Sequence, residues 1–141
     1  MIRPPLRCIN LDWLEVYALE PISEAHNADY FRGVGFGIIE RDYGTRIYNE
    51  MFTLVGADGY PFVEVRRNPK STSVLPINAS HLRFVNRRCY EQKAGALMAE
   101  FLEKYGYLFV SVSRVDICLD FEKFDSGDDP QKFVKRYVGH K

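Results

Sequence analysis

The stretch SVSRVDICLDF, residues 111–121, places Arg114, Asp116 and Asp120 on alternating positions of a segment rich in β-branched residues. A strand of period two sends Val115, Ile117, Leu119 and Phe121 to one face and Arg114, Asp116, Cys118, Asp120 and Glu122 to the other. Carboxylates bind a hard divalent cation through oxygen, and such an ion, Mg²⁺ or Mn²⁺, polarises or activates a phosphodiester. Asp116 and Asp120 stand about 13 Å apart along an extended strand, too far to chelate one ion unaided. A neighbouring strand would have to supply a further carboxylate, and Glu64 in PFVEVRR is the candidate. The plainer expectation is that Asp116 pairs with Arg114, Arg66 or Arg83 across strands.

Basic residues form the second constellation. Arg66, Arg67 and Lys70 close one strand, and Arg83, Arg87 and Arg88 lie on another beside Tyr90. Cations near aromatic rings grip phosphates and stack on unpaired bases. With Arg114, they are the candidate DNA-phosphate contacts. The competing expectation is solvated charge that guards a sheet edge. Tyr90, Tyr105, Tyr107 and Tyr137 could each attack a phosphodiester, although Tyr105 and Tyr107 read as packing residues, and the sequence does not choose among them. His26, His81 and His140 are far apart with no His-x-His pair; His81, next to Arg83, could line the polar face, but it reads better as a surface histidine. Gly33, Gly35 and Gly37 in GVGFG lack the dinucleotide-loop spacing. They are expected on one face of a strand, where they would clear room for a helix or let the strand bend. DSGDDP lacks the spaced ligands of a calcium loop; Asp129 as N-cap and Pro130 at the first helical position explain it better.

The totals set the limits. The chain has 141 residues, 46% hydrophobic and 27% charged, the range of one soluble domain. Lys plus Arg and Asp plus Glu are 19 each, so no global field draws in a polyanion and any anion site must be local. Cys8, Cys89 and Cys118 are widely spaced, which suggests neither zinc nor a disulfide framework and fits a reducing, cytoplasmic setting. Neither a signal peptide nor a membrane-crossing run is found.

The elements that must position these groups follow from periodicity. INLDWLEVYALEP alternates as a strand ending before Pro21; ISEAHNADYFRG reads as a polar connection. GVGFGIIERDYGTRIYNEMFTLVGADGYPFVEVRRNP reads as a run of antiparallel strands with turns at DYGT and GADG. NPKSTSVLPINAS is a loop and SHLRFVNRRCY a strand. In EQKAGALMAEFLEKYG, Ala94, Leu97, Met98, Phe101, Leu102 and Tyr105 recur at helical spacing, with Gly106 suited to the C-terminal cap. A long strand follows, then a short C-terminal helix in QKFVKRYVGHK that stops about one turn after Tyr137, as in a fragment of a larger protein. The expected fold is α+β: an antiparallel sheet of about five to six strands, one main helix packed on one face, and a short C-terminal helix. The other face is left for water or a ligand.

VSVSRVDICLDFEKF, preceded by LRFVNRRCY and LMAEFLEKYG, resembles the N-terminal part of plasmid and phage replication initiation factors of the Rep_trans rolling-circle type, as carried on mobile elements of Bacteroidetes. Ser113, Arg114, Val115, Asp116 and Asp120 match the family pattern, and the likeness spans roughly residues 80 to 137. It implies a metal-dependent enzyme that nicks one DNA strand and keeps the 5′ phosphate on a tyrosine. Asp116 and Asp120 would face the active site and Arg114 a phosphate. The partners implied are single-stranded DNA or an origin hairpin. The family's nucleophilic tyrosine is expected downstream of this chain, so the domain is expected to bind DNA and to be inactive alone. The alternative is a non-enzymatic binding module or homodimer with a cross-strand ion-pair face.

Overall fold

The computed structural model describes residues 6–89 and 94–121, with side chains for 11–85, 88–89 and 94–117. The chain divides into two units, Leu11–Asp116 and a second made of residues 1–10 and 117–141. The side-chain interactions below belong to the first.

Among the described residues six strands form one sheet: β1 (Leu6–Leu19), β2 (Gly37–Glu40), β3 (Tyr48–Val55), β4 (Pro61–Pro69), β5 (Ala79–Phe84) and β6 (Leu108–Phe121). Their order is β2-β3-β4-β5-β1-β6. β2 to β5 run as successive antiparallel neighbours, and β1 closes antiparallel onto β5. The helices are α1 (Ala28–Gly33), α2 (Asn86–Cys89) and α3 (Ala94–Lys104). The α+β class and the antiparallel sheet are as expected.

The registers sort side chains into two faces, because alternate residues of a strand point opposite ways. Leu14, Phe84, Val63 and Leu54 stand side by side across four strands, as do Val16, Leu82, Val65 and Phe52. All eight are buried in one apolar cluster. The intervening rows are polar: Glu15, Arg83, Glu64 and Thr53 in one, Tyr17, His81, Arg66 and Met51 in the next. Met98, Phe101 and Leu102 of α3 belong to the same apolar cluster. Phe101 stacks on Phe31 at 6.1 Å and tilts against Phe62 at 5.9 Å. Each such buried side chain contributes about 1.5–3 kcal/mol.

α3 ends where Gly106 adopts φ 72°. That left-handed residue lets Tyr107 N–H reach Leu102 O at 2.9 Å, which satisfies a carbonyl the helix would leave open. A Cβ there would also come within 3.2 Å of Pro21.

Several expectations are corrected. The polar connection contains α1, started by Asn27, whose side chain accepts from Tyr30 N–H at 2.9 Å; its apolar anchors Ala28 and Phe31 are too few to show as a periodic run. The strand SHLRFVNRRCY ends at Phe84 and continues as the helical turn α2. The three glycines of GVGFG do not share a strand face: Gly33 ends α1, Gly35 has φ 104°, and Gly37 opens β2. They serve a turn instead. Val115 and Ile117 of β6 are 49% and 64% exposed. The C-terminal helix, Asp129, Pro130, Tyr90, Tyr137 and His140 lie outside the described residues. So do the side chains of Arg87, Asp120, Cys8 and Cys118.

Candidate nucleic-acid interface

The polar rows of the sheet are built from β1, β4 and β5, with β6 beside β1. Trp13 of β1 is their centre. The Arg83 guanidinium lies 3.9 Å from the Trp13 ring centroid and the Arg114 guanidinium 4.1 Å. Arg83 and Arg114 come from the strands on either side of β1, so the indole is held between two cations. A planar guanidinium over an indole gains from the ring quadrupole. Arg83 Nε is buried and donates to no partner among the described residues.

A charged chain runs on from this column. Trp13 Nε1 donates to Glu15 Oε2 at 3.2 Å. Arg66 donates from Nη1 to Glu15 at 3.3 Å and from Nη2 to Glu64 at 2.8 Å. Beside Arg66, the His81 ring stacks on Tyr17 at 5.1 Å, and its Nδ1 meets the Tyr48 hydroxyl. Burial lowers the His81 pKa and pushes the Tyr48 hydroxyl up to about 12. Both shifts favour the neutral pair, in which Tyr48 donates to an imidazole nitrogen. Glu15, Arg46, Tyr48, Arg66 and His81 line a concavity of about 330 Å³. His81 is therefore a half-buried, stacked residue and not a free surface histidine.

The other candidate residues are dispersed. Arg67 points among the apolar rows and forms a two-point contact with Glu20, Nε to Oε2 at 2.9 Å and Nη2 to Oε1 at 3.1 Å, with Glu50 as a second partner. Arg88 is buried, pairs with Asp58 at 2.8 Å and donates to Pro61 O at 3.3 Å. Arg114 donates to both Asp116 oxygens, at 3.3 and 2.7 Å. That hydrogen bond holds the Asp116 carboxyl below its ordinary pKa.

Glu64 and Asp116 do not converge on one ion. Glu64 is on β4 and Asp116 on β6, with β5 and β1 between them, a lateral separation of roughly 14 Å at the usual strand spacing. Each is already paired with an arginine. No cluster of three or more His, Cys, Asp or Glu suited to a metal occurs among the described residues. The side chain of Asp120, the third carboxylate of that set, lies outside the described residues. Of the candidate tyrosines, Tyr107 is buried, and burial raises its hydroxyl pKa well above the ordinary value. Tyr105 packs edge-on against Phe31 and Phe36.

Sequence reasoning passed over Trp13, Glu15 and Tyr48 as site residues. The alternation of Trp13, Glu15 and Tyr17 signals a common strand face, but only the register Glu15–Arg83 and Tyr17–His81 joins that face to the basic residues. No helix among the described residues is long and apolar enough to cross a membrane. Compared with protein-family models, curated proteins and solved structures, the chain matches none.

Proposed function

We propose that this domain binds single-stranded nucleic acid, DNA in the replication-initiator setting that its sequence resembles, through the polar face of its sheet. The observation that carries the proposal is the Arg83–Trp13–Arg114 column. It holds two guanidiniums on one indole ring, and a guanidinium is the side chain suited to phosphate contact. Tyr17 on the next row offers a ring for a base, and base–aromatic stacking tolerates any sequence. The Arg114–Asp116 pair is exposed, so it contributes little and a phosphate can replace it. In this proposal α3 is the main helix on the apolar face, which leaves the polar face open. The described residues are assigned binding and not cutting.

The Arg66 bridge to Glu15 and Glu64 favours a second reading, a protein-binding module whose ion pairs rigidify the sheet face. Fluorescence anisotropy of a labelled oligo-dT at low salt separates the two. Saturable binding that weakens on Arg83→Ala supports the first; no binding supports the second.

A further inference from the structure

Among the described residues β6 occupies an edge of the sheet, and it is 14 residues long. Edge strands are normally kept short or interrupted by proline or a bulge, because their free N–H and C=O groups template pairing with another chain. Residues 108–121 contain no proline. Leu108, Phe109, Val110, Val112 and Val115 are all exposed, from 47% to 64%. Phe109 and Val112 also rim an apolar groove of about 550 Å³, floored by Leu14, Val16, Met98 and Leu102. A long apolar edge beside an apolar groove is a surface that another strand completes.

The charges say which strand. Arg114 and Asp116 lie two residues apart on the same face of β6 and already bond each other. Two copies of β6 set antiparallel with Val115 opposite itself would bring Arg114 against the partner's Asp116, and by symmetry Asp116 against the partner's Arg114. Shifting the centre to Arg114 or to Asp116 sets like charges directly opposite, which is unfavourable. Of these three centres Val115 alone sets opposite charges against each other, as an isologous two-fold contact requires. We propose that the chain forms a homodimer by antiparallel β6–β6 pairing centred on Val115, which continues the sheet through both copies. This does not depend on the nucleic-acid proposal.

Sedimentation equilibrium of the full chain tests it. The expected particle is twice the 16.4 kDa chain mass. Arg114→Asp should weaken the dimer about tenfold, since two cross-strand attractions become two repulsions. The charge-swapped double variant, Arg114→Asp with Asp116→Arg, should restore it. Val115→Cys should give a disulfide-linked dimer on mild oxidation that the parent chain does not, because directly opposed strand residues lie within disulfide reach. Circular dichroism checks that each variant folds. A monomer at all concentrations, a dimer indifferent to Arg114→Asp, or a swap that fails to restore it in a folded chain overturns the proposal. Should Arg114→Asp not fold, absence of the cross-link in the Val115→Cys variant does so.

Discussion

Arg83 and Trp13 meet diagonally across neighbouring strands, the guanidinium 3.9 Å from the indole centroid. The β1–β5 register explains the contact: Arg83 stands directly opposite Glu15, and Trp13 is the next residue along β1 on the same face. A diagonal pair of this kind is within reach of long and aromatic side chains. Arg114 closes the other side of the ring.

Removing Arg83 should weaken binding to single-stranded DNA and also flatten its salt dependence. Each phosphate contact adds about 0.7 to the slope of log K against log salt for single strands. Arg83→Ala should lower that slope by about this amount and leave the folded spectrum unchanged. Anisotropy titrations at several salt concentrations measure it. A loss of affinity with an unchanged slope would instead mark damage to the fold.

The Arg67–Glu20 contact is the opposite case, a charge pair among apolar rows. Glu20 is 4% exposed and also accepts from His26 N–H at 2.8 Å. Removing one partner of a buried pair leaves an uncompensated charge. Arg67→Met should cost about 3–5 kcal/mol in urea unfolding. Glu20→Gln added to Arg67→Met should recover part of that loss, because the stranded charge is gone.

Phe31 links the short helix α1 to the core. It is fully buried and its ring contacts Phe36, Phe52, Phe101 and Tyr105. Phe31→Ala should cost about 3–5 kcal/mol by lost burial and a cavity. Equal unfolding midpoints for the variant and the parent would show that α1 does not anchor the fold.

The Tyr48–His81 contact predicts a two-sided pH dependence. His81 has a folded pKa below its ordinary 6.5. The unfolded state therefore takes up its proton first as pH falls, and stability from this group is full above about 6.5 and declines below it. Tyr48 has its pKa raised from 10.0 to about 12. The unfolded state loses that proton first, so stability declines as pH rises through this interval. His81→Asn should reduce the acid-side decline, to which Asp116 also contributes, and Tyr48→Phe should reduce the alkaline-side decline, to which buried Tyr107 also contributes, read from unfolding midpoints against pH.

The fold was largely legible because its signals are local. The strict alternation of Leu14, Val16 and Ala18 against Trp13, Glu15 and Tyr17 specifies β1 and its two faces. The helical spacing of Met98, Phe101 and Leu102 specifies α3, and Gly106 its end. The site was less legible because it depends on register between distant segments. β1 is first in the chain yet lies between β5 and β6, and only that placement gives Trp13 its two arginines. Glu64 and Asp116 looked like partners from residue type alone, but the same strand order separates them.

Trp13 is the chain's single tryptophan, so its own emission reports on the proposed interface. Titrating the chain with unlabelled oligo-dT at low salt should change Trp13 fluorescence saturably. Added salt should reverse the change, and Arg83→Ala should reduce it. Emission that stays constant through an excess of oligonucleotide would contradict binding at the Arg83–Trp13–Arg114 column.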